Sequence, residues 1–345
     1  MSNGYRQNGG VIGTQNSFSA TAKGVWGVKE NFINRAPLPG EVAGEYQYTT
    51  VGSHTFTVPT GRNFITILVI SGGGGGMYFV NPSSNVSYRM NGGGGGALAW
   101  KNNVSVVPGD AYTVIVGGGG SQGAYSAGST AGGTSSVTGT GITMSCTGGG
   151  PGRYNATVDP GIASGGDTGG NQRGGQSVGG VYSSGYGSGG GGGGPGYSGS
   201  STYSGGTGGN RYVSTGTSVP YGPSPGLNGG GGGGAAAYSA WYSLGGGGTG
   251  MFGEGTSGAA GINGVNPPGL AGGGSGGGQA TGTNYQIGGL YGGGGGGSPN
   301  QTVNSAVGGD GAQGVVRILF GTIQARAFPS TNVALADSDG NVTVI

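Results

Sequence analysis

Any chemistry in this sequence has to come from very few residues. Of 345 residues, one is a cysteine, Cys146, and one a histidine, His54. That leaves no pair for an internal disulfide and no Cys/His set for zinc. Cys146 closes the apolar stretch "ITMSC", where a thiol packs as a small hydrophobe rather than serving as a nucleophile. His54 falls at an exposed phase of "SHTFTV" with no evident partner. "DSDGN", with Asp337, Asp339 and Asn341, imitates the opening of a calcium loop but lacks the glutamate required at position 12. A hairpin about Asp339-Gly340 is the expectation there. G-x-G-x-x-G matches are numerous, yet none opens a helical pattern and no Gly-Lys-Ser/Thr occurs, so both nucleotide fingerprints fail on context. The expectation is a protein that is not an enzyme, with no catalytic residue, no metal and no cofactor.

Binding is the chemistry the residues do offer. "MYFVNPSSNVSYRMN" (Met77–Asn91), "AAAYSAWYSL" (Ala235–Leu244) and "SPNQTVNSAV" (Ser298–Val307) between them mix aromatic residues, in the first two, with Ser and Asn, and residues 121–300 hold twelve tyrosines against six charged side chains. Tyrosine gives large contact area at low entropy cost while Ser, Gly and Asn adapt to the partner. Tyr78, Phe79, Tyr88, Tyr238, Trp241 and Tyr242 are therefore the candidate receptor-binding residues. The competing role for such aromatics is to cap a glycine layer against water.

Strands must position these loops. "YQYTTVG" and "HTFTVP" alternate at period two, and "NFITILVIS" is an apolar run rather than an alternating one, with Thr66 its one internal polar residue. "NVSVVPGDAYTVIVG" reads as two strands about a Pro-Gly-Asp turn. "TSSVTGTGITMSC" reads as a weaker pair, and "GVVRILFG" as a late strand expected to pair with "FITILVI". Several strands run into glycine without a turn residue: "FITILVISGGGGG", "YTVIVGGGG" and "ITMSCTGGG" outward, "GGGGGALAW" inward. Strand and glycine run are thus expected to be collinear, with the chain crossing both layers up and down.

With 99 Gly and 15 Pro, the composition by default signals low complexity or disorder. Glycine runs can nonetheless be solid. A polyglycine II segment has three residues per turn and no internal hydrogen bonds, so every N–H and C=O needs an outside partner. Neighbouring rods can supply them wherever no Cβ intervenes. A rod surrounded on all sides needs Gly at every position, as in Gly189–Gly194, Gly229–Gly234 and Gly292–Gly297, each a rod of roughly 19 Å at about 3.1 Å per residue. These three are expected innermost, with Gly72–Gly76 and Gly92–Gly96 in the same array.

Charge points to no polyanion. Twelve Lys and Arg against ten acids give +2, without a basic stripe, so nucleic acid is not an expected partner. The start lacks the basic and apolar regions of a secretory signal, and "FITILVI" is too short to span a bilayer. A soluble protein made in a cytoplasm is expected. "GVWGVKENFINR" places Val25, Val28 and Phe32 at helical spacing with Trp26 and Ile33 beside them, a short amphipathic helix that either packs on its own domain or docks elsewhere as an attachment arm.

Taken together, "HTFTVPTGRNFITILVISGGGGG", "NNVSVVPGDAYTVIVGGGG" and "GVVRILFG" resemble the glycine-rich domains of bacteriophage tail fibres and adhesins. "GVWGVKENF" and "ARAFPSTN" are similar to flanking segments of virion structural proteins from phages of aquatic bacteria, notably cyanobacteria. The resemblance implies stacked polyglycine II helices whose distal loops contact a host surface. The expected fold is mainly β plus polyglycine II: a small antiparallel β-domain with a packed polyglycine II sandwich. The expected divisions are an arm with a short helix (1–45), β-domain strands running into the first glycine runs (46–150), a glycine region with Tyr/Ser-rich loops (151–313) and a closing strand with a C-terminal hairpin (314–345). The expected function is that of a virion structural protein, a tail fibre or receptor-binding adhesin. Its expected partners are other virion proteins through the arm, and a host-surface glycan or outer-membrane protein; a homo-oligomer is allowed for. The alternative is a self-assembling filament or virion-decoration subunit. An ice-binding protein is a third reading, in which parallel glycine helices present a flat face, disfavoured because regular threonine ranks are not visible.

Overall fold

The computed structural model describes residues 44–78, 91–124, 127–154, 156, 158–167, 170–177, 245–251, 258–259, 278, 287–297, 308–320 and 328. Twelve strands follow one another among them. They are β1 (Gly44–Tyr48), β2 (Gly52–Thr57), β3 (Phe64–Ile70), β4 (Met77–Tyr78), β5 (Leu98–Ser105), β6 (Ala111–Val116), β7 (Gly123–Ala124), β8 (Ser135–Gly139), β9 (Ile142–Cys146), β10 (Ala163–Ser164), β11 (Asn171–Gln172) and β12 (Val315–Phe320). Two five-stranded antiparallel sheets result, ordered β1-β12-β3-β5-β11 and β10-β9-β8-β6-β2, plus the small pair β4-β7. The described part is mainly β. The helix expected around Val25, Trp26, Val28, Phe32 and Ile33 lies outside the described residues, as does the C-terminal hairpin.

Late strand β12 pairs antiparallel with β3 from Val315↔Ile70 to Phe320↔Ile65 and with β1 on its other side. It is therefore a central strand, supplied from the far end of the sequence. The strands on either side of the Pro-Gly-Asp turn do not pair with each other: β5 belongs to the first sheet and β6 to the second. The same holds for β1 and β2. These turns carry the chain from one layer to the other, which is why the core lies between them. "TSSVTGTGITMSC" does form a hairpin, β8-β9, with Gly141 at φ 71° in its turn.

Alternation on each strand builds that core. Ile65, Ile67, Val69, Ala99, Val316 and Ile318 of the first sheet meet Phe56, Tyr112, Val114, Val137, Met144 and Cys146 of the second. The opposite face of the first sheet is covered as well. Leu68, Ile70, Leu98, Trp100, Val315 and Leu319 form a second cluster with Met251 and Phe328. Two covered faces explain why β3 is apolar at every position but Thr66 rather than at every second one.

A bulge aims the anchor for Phe328. The β3–β5 register shifts between Ile65 and Ile67, and Asn103 sits at φ 51° on β5, a left-handed conformation that Asn tolerates better than most side chains. Beside it, the Asn102 side chain clips the Phe328 backbone at both ends. Its Oδ1 accepts from the Phe328 N–H at 2.8 Å, and its Nδ2 donates to the Phe328 carbonyl at 2.7 Å.

Candidate functional site

Glycine continues where the strands of the sandwich stop, and two buried serines mark the plane of the change. Ser71, which follows β3, accepts from the Ala97 N–H at 2.8 Å and donates to the Thr147 carbonyl at 2.7 Å through its Oγ. Ser135 Oγ accepts from the Gly117 N–H at 2.9 Å. Each hydroxyl ties strand ends that would otherwise present orphan backbone groups at the junction. Ser71→Ala strands the Ala97 donor in a dry site and should cost about 1–3 kcal/mol, read as a lower denaturation midpoint with an unchanged far-UV spectrum.

Beyond Ser71 the run Gly72–Gly76 bonds with a period of three. Gly72 and Gly75 donate to Gly133 and Thr130, Gly73 and Gly76 to Ala312 and Gly309, and Gly74 and Met77 to Gly94 and Asn91, at 2.8–3.1 Å. The partner number falls as the run advances, so all three acceptor segments run antiparallel to it. Its carbonyls face three others. Gly72 and Gly75 accept from Gly149 and Gly152, Gly73 and Gly76 from Gly120 and Gly123, and Gly74 from Gly295. Six segments surround one run, and Gly292–Gly297 is one of the six. Gly189–Gly194 and Gly229–Gly234, also expected innermost, lie outside the described residues.

Side chains are excluded by the same geometry. A Cβ built on Gly72 or Gly75 falls on the carbonyl of Gly118 or Ser121, on Gly73 or Gly76 on that of Gly293 or Gly296, and on Gly74 on that of Gly150. The rim differs: a Cβ on Gly118 meets only the Val51 side chain, at 3.4 Å.

Chain direction gathers the loop roots at the end away from the sandwich. Outward legs leave β3, β6 and β9, reaching Met77, Gly123 and Gly152 together. Gly292–Gly297 also runs outward, since Gly292 takes the Gly96 N–H near Ser71 while Gly296 takes that of Gly309 beside Gly76. Gly308 to Gly314 returns to β12. Residues 245–251 return too, from the level of Gly294 at Gly246 to the second core cluster at Met251. Thus Met77 and Asn91, the ends of the first loop segment, and Gly297 and Gly308, which bound Ser298–Val307, lie on one side, while Gly246, two residues after Ala235–Leu244, lies at the level of Gly294.

Of the six candidate receptor-binding residues, the structure describes Tyr78, half-buried on β4, which pairs in parallel with β7. Phe79, Tyr88, Tyr238, Trp241 and Tyr242 lie outside the described residues, as do the arm residues Val25, Trp26, Val28, Phe32 and Ile33. Tyr154, which the sequence reading passed over, is 42% exposed two residues beyond Gly152. Its place just after the third strand-to-glycine junction, in "GGGPGRYN", is the signal that would have found it.

The reactive side chains sit elsewhere. Cys146 is fully buried in the core, where desolvation pushes its thiol well up, and its Sγ lies 3.5 Å from the Val69 carbonyl. His54 Nε2 is 2.8 Å from the Thr50 carbonyl, and its ring lies against Tyr48. Burial first, and then neighbouring Tyr46, pushes the Tyr48 hydroxyl up to about 12. Among the described residues no three His, Cys, Asp or Glu side chains converge to hold a metal ion, and no helix is long and apolar enough to cross a membrane. Asp337, Asp339 and Asn341 lie outside the described residues.

The family model of a glycine-rich domain matches residues 49–266. The chain belongs to that glycine-rich domain family. No curated protein matches it. In this glycine-rich domain the matched span covers the outward legs from β3, β6 and β9 but stops short of β12. The strand that closes the first sheet is thus contributed from outside the matched span.

Proposed function

We propose that this protein is a virion structural protein, a phage tail fibre or receptor-binding adhesin, in which a polyglycine II array on a β-sandwich presents aromatic loops to a host surface. The observation that carries this reading is the common placement of the loop roots: Met77, Asn91, Gly297 and Gly308 lie at the end opposite the sandwich, beside Tyr78 and Tyr154. Support for polyglycine II comes from the period of three in the bonds of Gly72–Gly76, since a rod with three residues per turn repeats its neighbours at that interval. Resemblance of the strand-to-glycine segments to tail-fibre domains supplies the biological setting. In this reading the segment with Val25, Trp26, Val28, Phe32 and Ile33 attaches the protein to the particle. Tyr78, Phe79, Tyr88, Tyr238, Trp241 and Tyr242 contact a cell-surface glycan or outer-membrane protein.

Aromatic anchors dominate such contacts, and truncating a good one typically costs about 2 kcal/mol or more. Tyr238→Ser with Trp241→Ser and Tyr242→Ser is therefore expected to abolish adsorption to host cells while leaving particle yield unchanged. Normal adsorption with failed particle assembly would instead make this segment an interface between subunits. The protein would then be a filament or decoration subunit.

A further inference from the structure

The two sheets of the sandwich differ in what lies on their outer faces. Met251 and Phe328 cover the first, whereas the second presents a grid of hydroxyls. Register places Thr55 opposite Thr113, Thr113 opposite Thr138 and Thr138 opposite Thr143, so four threonines form one rank across β2, β6, β8 and β9. Two residues along each strand, Ser53, Ile115, Ser136 and Ser145 form the next rank, which Ser164 of β10 extends. Seven of the eight positions shared by the four strands carry a β-hydroxyl. Ser53, Thr55, Thr113, Ile115 and Thr143 are exposed, Thr138 and Ser145 half-buried and Ser136 buried. The five strands contain no Asp, Glu, Lys or Arg. His54 falls in the opposite, core-facing rank with Val114, Val137 and Met144.

We propose that this face binds ice. An uncharged grid offers nothing to select an ionic ligand, and without an aromatic ring it gives a sugar no stacking platform. What it does repeat is spacing. Neighbouring strands lie about 4.7–4.9 Å apart and alternate residues about 6.4–6.8 Å apart along a strand, the first close to, and the second somewhat shorter than, the two repeats of the oxygen lattice on a prism face of ice. Each threonine adds a methyl that favours leaving liquid water to a hydroxyl that joins the lattice. Sheet twist of about 20–25° per strand limits the match to adjacent strands. The activity therefore reads as adsorption and inhibition of recrystallisation rather than a large freezing-point depression. This function is independent of the distal loops.

The test grows an ice hemisphere slowly in a dilute solution of the fluorescein-labelled full-length protein and measures its incorporation, with serum albumin as the excluded control. The wild type is expected to enter the ice and to suppress recrystallisation in sucrose droplets. Thr113→Lys with Thr143→Lys, two exposed positions that are not paired with each other, is expected to be rejected while keeping its far-UV spectrum. The variant carrying Tyr238→Ser, Trp241→Ser and Tyr242→Ser should be incorporated like the wild type. Rejection of the wild type to the level of albumin overturns the proposal, as does undiminished incorporation of the lysine variant. A wild-type dimer that the lysine pair dissociates, with no ice incorporation, would make the face a contact between two copies.

Discussion

Arg317→Leu should remove about 3–5 kcal/mol of stability, the range seen when one partner of a buried ion pair is deleted. Domains of ordinary stability hold only about 5–15 kcal/mol in total, so this single change removes a large share of what holds the sandwich together. Arg317 and Glu45 are both 1% exposed, and the guanidinium donates to Glu45 Oε2 through both Nε, at 3.0 Å, and NH2. Its NH1 donates to the Met251 carbonyl at 3.1 Å. Burial lowers the arginine's affinity for its proton, and Glu45 partly restores it. One guanidinium therefore joins β1, β12 and the leg that returns from the glycine layer, on the outer face of the first sheet, where the Gln47 amide also donates to Glu45 Oε1. Removing it leaves a carboxylate in a dry site and frees the Met251 carbonyl. Glu45→Leu combined with Arg317→Met should recover most of the loss, because an apolar pair of similar volume carries no desolvation penalty. Urea midpoints of the single and double variants check both. A double variant no more stable than Arg317→Leu would show that the charges do more than satisfy each other.

The same strand shows what the sequence made legible. "VVRILF" could be matched to "FITILVI" because both are apolar at nearly every position, which only a strand covered on two faces requires. The arginine inside it was unremarkable until its partner appeared 272 residues earlier, since nothing in local spacing pairs Glu45 with Arg317. Turn chemistry located the turn between β5 and β6 but not the strands that each of them pairs with. Pro108-Gly109-Asp110 is a good turn, and it turns the chain between layers rather than within one. Collinearity of strand and glycine was legible at Ser71, where no turn residue intervenes. That Ser71 Oγ would tie β3 to the ends of β5 and β9 was not. Threonine ranks were missed for a geometric reason: Thr55, Thr113, Thr138 and Thr143 form a rank only across strands, so no window along the chain contains it.

Gly73→Ala together with Gly74→Ala should destabilise the protein by about 2–6 kcal/mol, taking about 1–3 kcal/mol for each methyl forced into a packed site. The two methyls point at different neighbours, the carbonyls of Gly293 and Gly150, so neither can be relieved by moving a single segment. Side chains in a core escape crowding by changing rotamer, but here every obstacle is backbone, itself bonded to further segments. Gly118→Ala is the matched control on the rim of the same layer. Its methyl would meet the Val51 side chain at ordinary van der Waals distance. Replacing glycine where the backbone allows it typically stabilises by about 0.4–1 kcal/mol through the unfolded chain. One substitution type should thus change sign between centre and rim. Disordered glycine predicts the reverse at the centre, a small stabilisation at all three positions, because with no neighbour to meet only the unfolded-chain entropy remains. Thermal midpoints of the two variants against wild type decide between these outcomes. A Gly73→Ala, Gly74→Ala protein as stable as the parent would mean that the glycine layer is not packed, and the loops would then have no rigid platform from which to bind.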